Sequence, residues 1–555
     1  MKTKENLKII PLGGLDEIGK NMTVFEYGDD IFILDSGFGF PEDELLGIDI
    51  VIPDLTYIEE NKHKIKGIVL THGHQDHIGS LPYLLEKVNV PIYGTKLTLG
   101  LVEVKLEEYE DRVDDYELKE INPNDVFSLG VFEIDVIRGS HSIPDAVGFA
   151  IKTPVGVVIH TGDFKIDYNP INGEMIDLNK FAKYGDEDVL LLMADSTNAQ
   201  KDGSTMSERT VGESFDKIFN ESDERIVVAA FSSSVHRIQQ IINSAHITNR
   251  KVAFSGRSML TVSDVAMDLG YLNVPDDLVI DIKDLDKYPD NEVVLVTTGS
   301  QGEYMSALYR MANSIHRNFE LKSGDTVILS STPIPGNEKP VIEIMNSLKK
   351  MGVKVIYHEL ADVHVSGHAC KEELKVIHSL VKPKFFVPIH GEYSHLLAHK
   401  ELAEDLGMSS SNIFLMANGE TLALNQYDAN IEGEVTNGRV FIDGKGVGDV
   451  GNIVLRDRRI LSQDGLVVVL IHLDTNNKEV TKKPDIISRG FVYVRESQQL
   501  MANTTNLVKQ EVNNCLRNNK TDWNDIKKHV IYKLKNFLYK RTNRRPMILP
   551  IIIDK

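Results

Sequence analysis

A chain of 555 residues exceeds what one hydrophobic core usually serves, so two or three domains are expected. Its 42% hydrophobic and 26% charged residues exclude a disordered or membrane chain. The formal net charge of −21 excludes indiscriminate binding to polyanions, which draws on Lys and Arg, though it leaves room for a local basic groove. Met1 to Ile10 offers too short an apolar stretch for a signal-peptide core. The longest apolar runs, Leu466 to Ile471 and Met547 to Ile553, are of strand length, far below the roughly 20 residues of a membrane span. A cytoplasmic location is expected. Cys370 and Cys515 are the only cysteines. A disulfide framework is therefore not expected, and any metal must be held by His and Asp.

In chain order, the first two hundred residues alternate short β-branched runs with turns and helical stretches. Ile31 to Leu34, Ile68 to Leu70, Phe132 to Ile137 and Val155 to Ile159 read as strands, several ending directly in a polar cluster. From about Thr205 the texture becomes strand-helix alternation. Arg225 to Phe231 is followed by Val235 to Ala245, and Lys251 to Phe254 by Met259 to Leu269, the pattern of a parallel α/β domain. After about Cys370, Phe385 to Ile389 again forms a strand ending in a histidine, so the second domain looks inserted into the first. The Gly-rich stretch Asp443 to Gly451 reads as a linker. Beyond it come the strand Leu466 to Leu473 and a helix around Thr505 to Arg517, a small α+β domain. Lys527, Lys528, Lys533, Lys535, Lys540, Arg541, Arg544 and Arg545 crowd its end, either as a solvated helix face or as an RNA contact.

The segment Ile68 to Gly79 places His72, His74, Asp76 and His77 within six residues, after a strand and before a helix starting near Ser80. Imidazole with carboxylate suits zinc or a similar first-row ion. His72 and His74, two apart, would face one ion; Asp76 and His77 would face the other. Further ligands are available at other strand ends: His141 after Phe132 to Ile137, Asp163 after Val155 to Ile159, and His390 after Phe385 to Ile389. A lone His at a strand end is more often a satisfied polar residue, but beside the first cluster the balance reverses. Two adjacent ions lower the pKa of water from 15.7 to roughly 7 and polarise a phosphoryl oxygen, so phosphodiester hydrolysis is the natural fit. A lactam or thioester would serve the same chemistry.

His72-Gly-His-Gln-Asp-His77 resembles the HxHxDH signature of the metallo-β-lactamase superfamily, with Asp35 in Ile33-Leu-Asp-Ser-Gly37 resembling its preceding Asp motif. The resemblance implies that His72, His74 and His141 bind one zinc and Asp76, His77 and His390 the other. It further implies that Asp163 bridges them and that Asp35 supports the site from behind. It makes Asp76 catalytic as well as a ligand.

In the inserted region Asp195 in Met193 to Asn198, the run Phe231 to Arg237, and His364-Val-Ser-Gly-His368 each end a hydrophobic run, where α/β folds present binding groups. Ser233, Ser234 and Ser366 offer hydroxyls, and the serine triplet is equally a helix cap or a phosphate contact. Gly367 permits close backbone approach, and His368 could hold a phosphate or protonate a leaving oxygen.

The insertion resembles the β-CASP domain of nucleic-acid-processing relatives, Asp195 its acidic motif, and His364, His368 and His390 its histidine motifs. With Gly13 to Asn21, Phe40 to Asp49, Thr298 to Glu303, Thr332 to Asn337, Asp485 to Tyr493 and Arg544 to Pro550, the whole chain is similar to the bacterial ribonuclease J family. It departs from that pattern at Asp16, Gly139-Ser140, Ser232 to Ser234, Tyr304 and Cys370.

The fold then implied is α/β: a metallo-β-lactamase αββα sandwich (1–204 and 370–447), an inserted β-CASP α/β domain (205–369), a linker (448–460) and a C-terminal α+β oligomerisation domain (461–555). The implied activity is 5′-to-3′ exonuclease and endonuclease cleavage of RNA in mRNA decay and rRNA maturation, by two Zn2+, or Mn2+ or Mg2+. Asp76, Asp195 and His368 would be catalytic. Ser233, Ser234, Val235, His364, Val365, Ser366, Gly367 and His368 would line the path of an RNA with a 5′-monophosphate. The implied partners are a second copy, as homodimer or homotetramer, or a paralogous subunit. A weakly active partner subunit and a single-stranded DNA nuclease are the alternative readings.

Overall fold

The runs read as strands do form strands, at Asp30–Leu34, Ile65–Val69, Phe132–Arg138 and Gly156–His160. Val155 falls outside its strand because Thr153 Oγ1 accepts the N–H groups of Val155 and Gly156, closing a turn. The computed structural model describes residues 6–42, 44–109, 115–171, 174–334, 337–474, 477, 479–493, 495–518 and 522–554. Asp43 of the Phe40 to Asp49 motif and Pro335 and Gly336 of the Thr332 to Asn337 motif lie outside the described residues.

The chain divides into two units, one running to Val440 without Pro41–Ile50, the other made of Pro41–Ile50 with Phe441–Lys555. The larger unit holds an eight-stranded and a six-stranded sheet facing each other. Phe25, Phe32 and Leu34 from the first sheet pack with Phe132, Phe149 and Val387 from the second in one buried core. On the far side of the six-stranded sheet a second core is closed by the helices Leu178–Gly185, Lys371–Val381 and Tyr393–Asp405. This is the expected sandwich.

Strands Val189–Asp195 and Phe385–Ile389 are parallel neighbours in the six-stranded sheet, paired from Leu191–Phe385 to Asp195–Ile389. The chain between them forms a separate five-stranded, all-parallel sheet ordered Lys251–Ser255, Val293–Thr297, Ile226–Ala229, Thr326–Leu329, Lys354–Ile356. The second domain is thus an insertion between two adjacent strands, and Asp195 and His390 are brought side by side by the sheet it interrupts.

In the smaller unit the strand Leu466–Asp474 alternates buried and half-buried residues and pairs with Asp485–Arg489 and Met547–Asp554. The helices Gln498–Arg517 and Trp523–Thr542 cover one face of this sheet. Two expectations are corrected here. The segment 448–460, read as a linker, is largely helical, within the helix Asn452–Gln463. Pro41–Ile50, assigned from sequence to the first domain, belongs with the smaller unit: the Gly444 N–H donates to Asp49 Oδ2 at 2.7 Å, and Arg458 donates to the Leu46 carbonyl at 2.9 Å. Among the described residues no helix is long and apolar enough to cross a membrane.

Candidate metal centre

Strand Ile65–Val69 delivers the chain into the His-rich loop, and the helix expected near Ser80 follows it, preceded by a short turn of its own. A four-residue turn of helix, Gln75–Ile78, carries Asp76 and His77, and a second helix starts at Leu81. Asp35 and His390 leave their strands with φ of 61° and 57°, in the left-handed region that Asp and His tolerate better than most residues. That turn aims each side chain across the strand ends. Gly37 is fixed by close approach, because a Cβ there would lie 1.5 Å from the Asp76 carbonyl oxygen.

Two carboxylates organise the imidazoles in the same way. Asp35 accepts His77 Nδ1–H at 2.8 Å and the Thr71 hydroxyl at 2.9 Å, and Thr71 Oγ1 in turn lies 3.0 Å from His72 Nδ1. Asp195 accepts His368 Nδ1–H at 2.7 Å and the Thr197 hydroxyl at 2.8 Å, and Thr197 Oγ1 lies 2.7 Å from His390 Nδ1. Each carboxylate therefore holds one histidine directly and another through a threonine. With Nδ1–H occupied, His72, His77 and His390 turn their Nε2 lone pairs to the centre, as does His141, whose Nδ1–H donates to the Gly367 carbonyl at 2.8 Å.

The donors lie in two groups, with His72 and His74 in one and Asp76 and His77 in the other as their spacing suggests, and His141, His390 and Asp163 where the resemblance implies them. His72 Nε2 and His141 Nε2 stand 3.0 and 3.1 Å from His74 Nδ1. Those separations are close to the roughly 3.3 Å between ligand atoms of a tetrahedral ion with about 2.0 Å bonds. Asp76, His77, Asp163 and His390 form the second group. Asp163 Oδ2 lies 3.3 Å from His77 Nε2, 3.4 Å from His390 Nε2, 3.8 Å from His72 Nε2 and 3.9 Å from His141 Nε2. One carboxylate oxygen thus faces both groups. The donor set fits a pair of cations.

The electrostatics of the two groups differ. Burial, aided by the neighbouring imidazoles, holds His72 and His141 well below the usual histidine range, and burial pulls His74 down to about 4. These three are neutral and ready to ligate. Burial also works against charge on His390, but Asp163, the hydrogen bond to Asp76 and the charge of Asp195 outweigh it and bring His390 up to about 9; His77 is likewise raised against burial by Asp163, Asp76 and Asp35. A cation must displace these protons. Apparent metal affinity is therefore expected to rise with pH, up to about tenfold per pH unit for each displaced proton, with the His390 contribution flattening above about 9. Calorimetry in buffers of different ionisation enthalpy should record proton release at pH 7.5; binding with none would contradict this electrostatic picture.

The sequence carries the same division of labour. Residues 15–229 match the metallo-beta-lactamase superfamily, 223–348 the ribonuclease J beta-CASP domain, 352–416 the Zn-dependent metallo-hydrolase RNA specificity domain, and 453–555 the ribonuclease J C-terminal domain. Ribonuclease J2 of Bacillus subtilis is 45% identical over 100% of this chain and 99% of its own length. This chain belongs to the ribonuclease J family. Ribonuclease J of Thermus thermophilus is 44% identical over 99% of this chain and 96% of its own, and ribonuclease J 1 of Streptococcus pyogenes is 43% identical over 98% and 97%. A crystal structure of a protein of unknown function from Enterococcus faecalis shares the fold at a TM-score of 0.54 and 17% identity, covering 76% of this chain and 100% of that one.

Within this ribonuclease J family member, the inserted domain meets the metal centre at His364 to His368. Gly367 is required by close packing: an added Cβ would lie 2.5 Å from His141 Cε1 and 2.7 Å from its Nδ1. Gly367→Ala is expected to tilt His141 and cost roughly 100-fold in kcat, the effect of a displacement of about 1 Å at a reacting centre. Wild-type kcat in the purified variant would show that the loop gives way instead.

The other substrate candidates divide. Ser233 is half-buried, and the largely buried Ser234 precedes the helix Val235–Ile247. Ser366 Oγ accepts from Asn198 Nδ2 at 2.8 Å. His364 Nδ1 accepts from Arg237 at 2.7 Å, which leaves its Nε2–H as a donor. The side chains of Val235 and Val365 are buried in the interior, so only their main-chain atoms remain for a nucleotide.

Several contributors were not singled out from the sequence. Asn21 Nδ2 lies 3.1 Å from His77 Nε2, Thr197 links Asp195 to His390, and Asn198 ties Ser366 to the His368 carbonyl at 3.0 Å. Each lies inside a motif already noted, at the end of Gly13 to Asn21 or directly after Asp195. Arg237, buried between Glu208 and His364, closes the noted run Phe231 to Arg237. Position beside a strand end was the available signal.

Proposed function

We propose that this chain hydrolyses RNA phosphodiester bonds at a two-ion centre, as a 5′-to-3′ exonuclease and endonuclease of mRNA decay and rRNA maturation in the cytoplasm. The observation that carries this reading is Asp163 Oδ2 facing four histidine nitrogens from two groups within 3.3 to 3.9 Å. His72, His74 and His141 would hold one ion, Asp76, His77 and His390 the other, with Asp163 shared. Five imidazoles favour Zn2+, with Mn2+ or Mg2+ as substitutes. When bound, such a pair supplies a nucleophile from water at neutral pH and offsets charge on the phosphoryl oxygens.

The chain's own residues do the rest. Asp195 holds Nδ1–H of His368, so His368 presents Nε2 beside the cluster, its ring 5.0 Å from that of His141 and 5.3 Å from that of His390. From there His368 donates a proton to the leaving oxygen, and Asp195 offsets the charge of the imidazolium. Asp35 and Thr71 keep His72 and His77 from rotating. Ser233, Ser234, the donor Nε2–H of His364, and Ser366 with Gly367 line the nucleotide path. A 5′-monophosphate would sit at the N-terminus of the 13-residue helix Val235–Ile247, where main-chain dipoles favour an anion.

A homodimer or homotetramer, or pairing with a paralogous subunit, is supported by the outer face of the smaller unit's sheet. Ile487, Leu549, Ile551 and Ile553 are 39 to 49% exposed there, on the side away from its helices. Such an apolar surface is characteristic of a covered interface.

The test of the activity compares hydrolysis of a 5′-monophosphorylated RNA by the wild type and by Asp76→Ala, with a matched DNA strand as competitor. If the wild type holds two ions yet is no faster than Asp76→Ala, the enzyme reading fails and the partner-subunit reading takes its place. Equal cleavage of the DNA would replace RNA specificity with general single-strand cleavage.

A further inference from the structure

The helix Trp523–Thr542 carries a stripe that the metal centre does not use. Lys528, Tyr532, Lys535 and Tyr539 recur at intervals of four, three and four residues and so share one face. All four are exposed, Tyr532 at 64% and Tyr539 at 41%. The Arg545 guanidinium sits 4.5 Å from the centre of the Tyr539 ring, extending the row past the helix end. From Asp522 to Arg545 the chain has eight Lys and Arg against two Asp, in a protein whose net charge is −21. Among the described residues no carboxylate pairs with Lys528, Lys535 or Lys540, whereas Lys533, on another face, lies 3.7 Å from Glu511.

We infer that this stripe binds single-stranded RNA outside the metal centre. Unpaired lysines answer phosphates, and exposed tyrosine rings answer the faces of unstacked bases, the pairing by which single strands are held without reading sequence. A duplex would use the lysines and leave the tyrosines idle, because its bases are already stacked. Tyr532 and Tyr539 stand seven residues apart, about 10 Å along the helix axis. That spacing suits two bases of one extended strand with another between them. The inference rests on the reading of RNA as substrate and adds a second contact for it.

The test uses the full-length protein with its metals and an unstructured 30-nucleotide RNA made resistant to cleavage, beside a five-nucleotide RNA of the same 5′ sequence. Tyr532→Ala with Tyr539→Ala is expected to weaken binding of the long RNA by about 10-fold or more per ring. Lys528→Gln with Lys535→Gln should lower the slope of log affinity against log salt by about 0.7 per lost phosphate contact. Affinity for the short RNA and its cleavage rate should not change, and Lys528→Arg with Lys535→Arg should restore the long-RNA affinity.

Unchanged long-RNA affinity in both pairs of variants overturns the inference, as does an equal loss for long and short RNA. Dissociation of an oligomer with long-RNA affinity intact would reassign the stripe to a protein contact and also overturn it. A wild type that binds the long RNA through the stripe but does not cleave the short RNA would sink the proposed activity and leave the stripe standing.

Discussion

Asp163→Asn is expected to lower RNA hydrolysis by at least about 1,000-fold and to reduce bound metal, because one oxygen of this side chain faces both donor groups. Asparagine keeps the volume and loses the charge. In the native centre Asp163 is held well below the usual carboxylate range: burial opposes ionisation, and His390 and His77 outweigh it. The same charge raises His77 and His390. Without it, two buried cationic groups would lack their main partner, and a cation entering between the groups would lack its shared anion. Metal analysis of the purified variant with single-turnover hydrolysis of a monophosphorylated RNA measures both effects. Wild-type metal content together with a rate within about tenfold of wild type would rule out a shared-ligand role, since even residues that only orient ligands cost 10- to 100-fold.

His368→Gln should cost about 10²- to 10⁴-fold in kcat on RNA, the range for loss of a positioned general acid, while metal content stays intact. The imidazole is tied to Asp195 at 2.7 Å and belongs to the face where the inserted domain meets the centre. A merely structural role would slow every substrate equally. A general acid matters only where the leaving oxygen needs a proton. The deficit should therefore shrink on a phosphodiester with a nitrophenol leaving group, and the alkaline limb of the pH–rate profile should disappear. An equal deficit on both substrates would assign His368 to binding or positioning instead.

What could be read from the sequence was local. His72, His74, Asp76 and His77 sit within six residues, and a loop that short cannot scatter its ligands. Strand ends were legible from hydrophobic runs, so His141, Asp163 and His390 could be named one at a time. The inserted domain showed itself as a change of texture near Thr205. Boundaries set by contacts far apart in the chain were less legible. Pro41–Ile50 reads as part of the first domain until Asp49 and Leu46 are seen bonded to residues about 400 positions away. The Gly-rich approach to Asn452 hid a helix whose own residues, Asn452–Gln463, contain no glycine.

The sequence by itself determined the donor types, their grouping in one loop and the class of chemistry they serve. The tertiary structure decided which distant residues join them. Asp195 and His368 are 173 residues apart, and His141 and Gly367 are 226 apart. The order of the six-stranded sheet sets Val189–Asp195 beside Phe385–Ile389, and the loop that carries Gly367 and His368 packs against these strand ends. The physical reason is that periodicity and spacing record which face of an element is buried, whereas strand order is set by packing that sums over the whole core. The threonine relays through Thr71 and Thr197, and the glycine that His141 needs at Gly367, belong to that second kind of information.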